Sequence, residues 1–363
     1  MSEKRLILAA GGTGGHLFPA LALAKKMQAR GWQVHLFTDK RGLDYAKKES
    51  SLKLWLISSG GLAGLGFKKR LINIVKLLRG YFKSYKLLKC LAPQLVIGFG
   101  GYASVPPVLA AQHKGIATLI HEQNSVMGGA NRLLARKANI IALGFKLQQN
   151  KKNSAFRHKT KHVGNPVREY FKTIQPYQPS IAPAPFHLLV FGGSQGAAFL
   201  SDIIPQALAL LPAEYKARLR VTQQARNEAL ERCSLYYKSH GIKANCAPFF
   251  DQMPALYAQA QLIICRAGAS TVAEVSTANR PALFVPYPYA AGNHQHANAQ
   301  SLANLGAAEI LNQKSLSKHE ICTKIQKYMD KPEILEGYAK QAETIGIHAC
   351  AADNLVQLAE SLL

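Results

Sequence analysis

Glu274 lies in the stretch LIICRAGASTVAE, residues 262 to 274, where a short apolar run, a glycine turn and an alanine-rich segment follow one another. This order predicts a buried strand, a loop and the start of a helix. Two interpretations of the carboxylate are open. With Thr271 it would form a capping box that satisfies backbone donors at the helix start. At the carboxyl end of a parallel strand it would instead accept hydrogen bonds from the ribose hydroxyls of a nucleotide.

Three other side chains are candidates for acid–base chemistry. His16 directly follows the glycine loop GGTGGH at the start of a predicted helix. There the positive end of the helix dipole favours a neutral imidazole that can accept a proton. His121 and Glu122 end the apolar run ATLIHE and are rival candidates for the base. A histidine at a helix start is also often structural, so the residues alone leave the base open.

Glycine loops after predicted strands would position these side chains. Residues 4 to 10 read as a strand, the loop follows at 11 to 16, and a helix is expected from about 19 to 30. The segment HLLVFGGSQGAAFL at 187 to 200 repeats the same order in the second half of the chain. Backbone N–H groups at such helix starts bind anions. The repeat predicts two similar Rossmann-like halves, each with an anion-binding loop.

Neither of these loops carries a complete nucleotide-binding signature. In the first loop the third glycine position of a dinucleotide fingerprint is occupied by Leu17. Asp39, at the end of the next predicted strand, is expected to be a solvated side chain rather than the ribose-binding acid of a dehydrogenase. The loop GGSQG at 192 to 196 lacks the lysine of a P-loop.

A further glycine loop and a polar cluster follow the next two predicted strands. The sequence GFGGYAS occupies residues 98 to 104, and Pro106 is expected to start a helix. The strand at 117 to 124 ends in His, Glu, Gln and Asn. Open α/β sheets bind ligands at such carboxyl ends, so both segments are candidates for a binding site.

The 363 residues carry a formal charge of +25, and this charge is unevenly distributed. Residues 1 to 165 contain 28 Lys and Arg against five acids, a net +23, whereas the remainder has 17 against 15. The first half should therefore meet an anionic partner, either nucleic acid, anionic lipid or a phosphorylated substrate. The six cysteines form no C-x-x-C pair, which argues against a zinc site or a disulfide framework. Since no apolar stretch reaches 18 residues, a cytoplasmic protein is expected.

The helix predicted at 67 to 89 combines apolar and basic side chains. Its apolar positions recur at i, i+4, i+7, i+11 and i+14: Leu71, Val75, Leu78, Phe82 and Tyr85. Its basic positions are Lys69, Arg70, Lys76, Arg79, Lys83 and Lys86. An amphipathic helix that covers the core would show this pattern. So would an interfacial helix on anionic lipid.

Seven motifs, in one order and at matching separations, resemble those of the MurG family. They are GGTGGH, GFGGYAS, HEQN, GNPVR, GGSQG, RAGASTVAE and HQxxNA. The resemblance implies a two-domain α/β protein of the GT-B fold, with two Rossmann-like domains facing across a cleft. It places an acceptor and membrane-facing domain at 1–163, a UDP-GlcNAc-binding domain at 164–340, and a C-terminal helix at 341–363 that returns to the first domain.

The same resemblance implies an enzyme that forms lipid II. It would transfer N-acetylglucosamine with inversion from UDP-GlcNAc to the 4-hydroxyl of the muramic acid of lipid I, at the cytoplasmic face of the bacterial inner membrane. It would be a peripheral protein that meets the anionic surface through residues 67–89. No cofactor, metal or nucleic acid is expected, and the sequence has no Asp-x-Asp.

Site residues follow from the motifs. The expected donor-binding residues are Thr13, Gly14, Gly15, Asn124, Arg168, Ser194, Phe250, Ala269, Ser270, Thr271, Val272, Ala273, Glu274 and Gln295. The acceptor-side candidates are Gly100, Gly101, Tyr102, Ser104, His121 and Glu122, and His16 is the favoured catalytic base because of its place at a helix start. The family often has an acid before the HQ pair, where this chain has Gly292 and Asn293. A sugar contact from that acid is therefore not expected.

Two alternatives remain from the sequence. One is another GT-B sugar-nucleotide transferase or an epimerase, which would use the same nucleotide site with a different acceptor. The other is a basic nucleic-acid-binding protein, which the pI near 9.9 would suit although no recognition motif accompanies the charge.

Overall fold

A computed structural model describes residues 4–12, 14–47, 52–61, 66–147, 155–192 and 198–363. Two compact units divide the chain. The first combines Met1–Arg168 with Ile347–Leu363, and the second is Glu169–Gly346. Each is built on a parallel sheet, which confirms the predicted α/β class with two Rossmann-like sheets.

The first unit has a seven-stranded sheet in the order β3-β2-β1-β4-β5-β6-β7. Its strands are β1 (Arg5–Ala9), β2 (Gln33–Thr38), β3 (Lys53–Leu56), β4 (Leu95–Gly98), β5 (Ala117–Glu122), β6 (Ile140–Leu143) and β7 (Thr160–His162). Its described helices are α1 (Gly14–Ala29), α2 (Lys40–Ala46), α3 (Phe67–Leu91), α4 (Val105–His113), α5 (Gly129–Leu134) and, at the end of the chain, Ala351–Glu360.

The second unit has a six-stranded sheet in the order β10-β9-β8-β11-β12-β13. Its strands are β8 (Phe186–Phe191), β9 (Leu219–Gln224), β10 (Lys243–Ala247), β11 (Leu262–Cys265), β12 (Ala282–Phe284) and β13 (Ala308–Ile310). Its described helices are α6 (Ala198–Ala209), α7 (Ala213–Arg218), α8 (Asn227–Ser239), α9 (Met253–Gln259), α10 (Ala269–Thr277), α11 (His294–Ala303), α12 (Lys318–Asp330) and α13 (Pro332–Glu343). The last helix of the chain, Ala351–Glu360, is then α14.

The segment after Gly164 stays with the first unit, so the division falls at 168/169 where the sequence suggested 163/164. The backbone N–H of Asn165 donates to His348 Nδ1 at 3.0 Å, and its side-chain amide donates to the Gln123 carbonyl at 2.9 Å. The Arg168 guanidinium lies 4.8 Å from the centre of the Phe18 ring. These contacts attach the segment to the first sheet.

The end of the chain is two helices rather than the single helix expected at 341–363. α13 ends at Glu343, Gly346 follows in a left-handed conformation (φ 49°), and α14 begins at Ala351. α14 packs beside α1, and it contributes Leu355, Val356 and Ala359 to the core of the first unit. Gly346 therefore lies between α13, the last helix of the second unit, and α14, which belongs to the first unit.

The apolar positions predicted along α3 do not cover the core. Leu71, Val75, Leu78, Phe82 and Tyr85 are all exposed, and the buried residues of this helix are Gly80, Ser84 and Leu88. The C-terminal half of α3 packs on α4, where the Tyr81 hydroxyl bonds to His113 Nδ1 at 2.8 Å. None of the helices in the described ranges is long and apolar enough to cross a membrane.

Candidate functional site

The first unit brings two glycine loops together at the switch point of its sheet. β1 lies between β2 and β4, so the chain leaves β1 towards one side and β4 towards the other. The loop after β1 leads into α1, and the loop after β4 contains Gly100 and Gly101, both left-handed with φ of 84° and 71°. The crevice between such diverging loops is the usual ligand site of an open α/β sheet.

His16 lies at this switch point, in the first turn of α1. A Cβ atom at Gly100 would be 3.1 Å from His16 Cδ2, and one at Gly101 would be 3.5 Å from His16 Nδ1. The two glycines therefore allow the backbone to approach the imidazole ring, which is half-buried. Gly14 and Gly15 lie in the same turn, and Thr13 lies outside the described residues.

Glu122, one of the rival bases, has both carboxylate oxygens in use as acceptors. Oε1 accepts from the backbone N–H of Asn124 at 2.9 Å and from its side-chain amide at 3.3 Å. Oε2 accepts from the Gly128 N–H and from Asn131 Nδ2, each at 2.9 Å. The side chain is buried. It organises the loop after β5, including Asn124, and this geometry does not present it to a substrate.

His121, the other rival, is fully buried inside the same unit. Its Nε2 pairs with the Gly164 carbonyl at 3.0 Å and its Nδ1 with Gln123 Nε2 at 3.0 Å. Burial lowers the pKa of His121 to about 4. The ring is a neutral structural group that links β5 to the segment after β7, and both of its nitrogens are occupied.

The remaining acceptor-side candidates in this unit differ in exposure. The Ser104 hydroxyl is fully buried and donates to the Gly101 carbonyl at 2.9 Å, so it fixes the second glycine loop. Tyr102, in the same turn, is only half-buried. Of this set, Tyr102 and the two glycines border the crevice that holds His16.

In the second unit, the carboxyl end of β11 leads into α10 at the corresponding switch point between β8 and β11. Gly268 is the N-cap residue of α10 and makes no side-chain cap. The first turn consists of Ala269, Ser270 and Thr271, whose N–H groups have no acceptor within the helix. This turn is therefore suited to an anion.

The capping-box interpretation of Thr271 and Glu274 is wrong, because both lie inside α10 rather than at its first residue. Glu274 is half-buried, two residues after the buried Val272 and next to the buried Ala273. Cys265 lies at the end of β11. The pKa of its thiol is raised mainly by burial and further by the negative charge of Glu274. The Ser270 hydroxyl is buried with no hydrogen-bond partner among the described residues.

Two other predicted donor residues lie elsewhere in this unit. Gln295, in the first turn of α11, accepts through Oε1 from the Tyr287 N–H at 2.9 Å. Phe250 is half-buried in the turn between β10 and α9. Ser194 lies outside the described residues.

Comparisons with known proteins agree on one family. Residues 6–143 match the glycosyltransferase family 28 N-terminal domain, and residues 187–354 match its C-terminal domain. In Brucella abortus (strain S19), a relative named UDP-N-acetylglucosamine--N-acetylmuramyl-(pentapeptide) pyrophosphoryl-undecaprenol N-acetylglucosamine transferase is 46% identical over 98% of this chain and 94% of its own. The relative of the same name in Brucella suis biovar 1 (strain 1330) is also 46% identical, over 99% and 94%. A crystal structure of Acinetobacter baumannii MurG is similar with a TM-score of 0.78 and 31% identity over 99% of each chain.

This chain belongs to the MurG family. It is therefore a glycosyltransferase, and the predicted resemblance and GT-B fold are confirmed. Neither the epimerase nor the nucleic-acid-binding alternative is favoured.

In this member of the MurG family, two neighbouring glutamines of β9 form hydrogen bonds to residues on either side of GGSQG. Gln224 Oε1 accepts from the Gly192 N–H at 3.2 Å, before the glycines, and Gln224 Nε2 donates to the Pro248 carbonyl at 3.1 Å. Gln223 Nε2 donates to the Leu200 carbonyl at 3.1 Å, after the glycines. Neither glutamine was among the predicted site residues, although two adjacent amides were a usable signal.

Arg266, which directly follows β11, was also not among the predicted site residues. It is buried, its Nη1 donates to the Val285 carbonyl at 2.8 Å, and its guanidinium lies 5.6 Å from the centre of the Tyr287 ring. Burial lowers the pKa of Arg266. This cation joins the ends of β11 and β12 at the side of the sheet where α10 begins.

Proposed function

We propose that this chain transfers N-acetylglucosamine from UDP-GlcNAc to the 4-hydroxyl of the muramic acid of lipid I, forming lipid II. The observation that carries the proposal is the 46% identity, over nearly the whole chain, to relatives whose name describes this transfer. The positions of the glycine loops at both switch points support it, because each sheet has a crevice suited to one substrate.

The donor is assigned mainly to the second unit. The N–H groups of the first turn of α10 would accept the diphosphate, and Glu274 would accept hydrogen bonds from the ribose hydroxyls. The buried Ser270 hydroxyl lies in the same turn as a further donor. Ser194, Phe250, Gln295, Asn124 and Arg168 are assigned to the same substrate by their motifs. As charge develops on the leaving UDP, fixed N–H dipoles stabilise it without reorganisation.

The acceptor is assigned to the first unit, with His16 as the base. In an inverting transfer the acceptor oxygen attacks the anomeric carbon, the bond to UDP breaks, and the hydroxyl proton passes to the base. His16 is half-buried at the switch-point crevice, whereas His121 and Glu122 are buried. This contrast favours His16 for the proton transfer.

We further propose that α3 brings the enzyme to its lipid-linked acceptor, at the cytoplasmic face of the inner membrane. Phe67 is 83% exposed and Phe82 is 62% exposed, so these large apolar side chains have no cover within the first unit. Basic residues alternate with them along the helix, as the interfacial region of an anionic bilayer favours. The attachment would be peripheral and partly sensitive to salt.

The test is to incubate the purified chain with UDP-GlcNAc and a lipid I analogue of short prenyl length. The expected products are UDP and a β-linked disaccharide on the analogue. A parallel incubation without acceptor should yield no epimerised sugar nucleotide. If UDP binds but no disaccharide forms with any muramoyl acceptor, the proposed function is wrong. Epimerisation without acceptor would assign the enzyme to the alternative class.

A further inference from the structure

Two cysteines of the second unit lie close enough to react with one another. Cys233 is on α8 and Cys246 is on β10, and their sulfur atoms are 3.8 Å apart. Both are free thiols, and they are the one pair of cysteines joined by a hydrogen bond among the described residues. A disulfide bond is about 2.05 Å long, so closing the pair requires an approach of roughly 1.8 Å.

We propose that Cys233 and Cys246 form a redox-active dithiol that closes to a disulfide in the presence of hydrogen peroxide. The Cys246 thiolate attacks one peroxide oxygen and becomes a sulfenic acid, and the other oxygen leaves as water. The Cys233 sulfur then attacks the Cys246 sulfur, and the sulfenic oxygen leaves as a second water. The two thiols lose two electrons and two protons in total, and the peroxide takes up both.

The surroundings of the two thiols determine which cysteine attacks the peroxide and which one then reacts with the sulfenic acid. Cys246 is half-buried and accessible, while Cys233 is buried. The hydrogen bond between the two thiols lowers the pKa of Cys246 and, together with burial, raises the pKa of Cys233. The thiolate is the nucleophile in such chemistry, so Cys246 reacts first.

The pair is connected through hydrogen bonds to Leu200, in the first turn of α6. Cys246 is in register with Gln223 on the neighbouring strand β9, so the two side chains leave the sheet on the same face. Tyr237, one helical turn after Cys233, donates its hydroxyl to Gln223 Oε1, and Gln223 Nε2 donates to the Leu200 carbonyl. Drawing α8 towards β10 displaces Tyr237 and changes this chain of hydrogen bonds.

We therefore expect the oxidised form to bind UDP-GlcNAc more weakly, a consequence that rests on the proposed function. The expected increase in donor KM is about 2- to 12-fold, which corresponds to the net worth of one hydrogen bond. Reduction with dithiothreitol should reverse it.

The first experiment maps the disulfide and does not depend on activity. The full chain is treated with hydrogen peroxide at low protein concentration, alkylated, digested and analysed by mass spectrometry. Trypsin leaves Cys246 and Cys265 in one peptide, 244 to 266, so the digestion is repeated with Cys265→Ala. The expected product links Cys233 to Cys246. Its absence, with both thiols recovered alkylated, overturns the proposal.

Single variants test the order of the two steps. In Cys233→Ser the sulfenic acid on Cys246 has no resolving partner, so dimedone should label Cys246. In Cys246→Ser, dimedone should not label the buried Cys233. Cys90→Ser and Cys350→Ser, which remove exposed thiols, are the matched controls and should leave the linkage unchanged. Dimedone labelling of Cys233 instead would reverse the proposed roles and overturn the mechanism.

Donor kinetics test the connection to the nucleotide site. Oxidised wild type is compared with peroxide-treated Cys233→Ser/Cys246→Ser, in which donor KM should not respond. A mapped disulfide with unchanged KM would overturn the link through Gln223. If even the reduced enzyme lacks transferase activity, the proposed function is wrong. The mass-spectrometric mapping still shows whether Cys233 and Cys246 form a disulfide.

Discussion

Glu122→Gln should destabilise the first unit severely, because this carboxylate is the shared acceptor of its loop. One oxygen accepts hydrogen bonds from the backbone N–H and the side-chain amide of Asn124. The other accepts from the Gly128 N–H and from Asn131 Nδ2, at 2.9 Å each. The glutamine NH₂ replaces one of these oxygens and faces two donors. Two hydrogen bonds to the carboxylate are then lost, at about 1–3 kcal/mol each.

The predicted loss is about 2–6 kcal/mol, a large share of the roughly 5–15 kcal/mol by which a domain is stable. For a unit of this size it corresponds to a melting temperature lower by about 4–24 °C. Calorimetry of the full chain measures it, with Glu360→Gln as control in the same unit. Glu360 forms a surface pair with Arg30, so its loss should cost at most about 1 kcal/mol.

The opposite result would refute this reasoning. If Glu122→Gln melts like the wild type but loses kcat by orders of magnitude, Glu122 takes part in the chemistry and His16 does not act as the base. A stability loss with nearly normal kcat below the melting transition is the expected outcome.

Four further predictions concern the donor, the base, acid stability and the membrane. Glu274→Ala should raise donor KM and weaken UDP binding without loss of fold, since this residue does not cap α10; equal UDP affinity by calorimetry would remove it from the site. His16→Ala should lower kcat by about 10²-fold or more with an unchanged melting temperature, and near-normal turnover would contradict the assignment. Burial lowers the pKa of His348 to about 3 and that of His121 to about 4 from 6.5, so their neutral forms stabilise the fold above pH 6.5 and this contribution is lost as pH falls. At pH 5 the two together should cost on the order of 4 kcal/mol, and His348→Gln should flatten the acid limb of a denaturation series if the reasoning holds. Phe82→Ser should weaken binding to anionic vesicles at high salt about tenfold, because 62% of the ring is exposed for insertion and burying it yields roughly 1.5–3 kcal/mol; unchanged sedimentation would place the membrane face elsewhere.

The glycine loops could be predicted from the sequence because their chemistry is local. A strand, a glycine cluster and a helix in succession specify an anion-binding turn, whatever surrounds it. The order of seven motifs specified the family in the same way. These features require no knowledge of which segments meet in space.

Contacts between distant segments could not be predicted in this way. Asp39 was expected to be solvated, yet it caps α2 through the Gly42 N–H at 2.9 Å and also accepts from the Gly12 N–H at 3.2 Å. Its role depends on two loops that meet at one sheet edge. The Thr271–Glu274 pattern fitted a capping box, but α10 begins at Ala269 because Gly268 ends the preceding loop. Periodicity along α3 likewise gave an apolar stripe without showing that this stripe faces away from the core.

The return of α14 to the first unit sets an order of events during synthesis on the ribosome. The core of that unit needs Leu355, Val356 and Ala359, which are translated after the whole of the second unit. The second unit is one continuous segment and can complete its own core earlier. Until α14 has been translated, the nascent first unit therefore exposes an apolar groove along α1. Such exposed surface attracts chaperones and promotes aggregation. Fragments that stop before Ala351 should inherit this same liability.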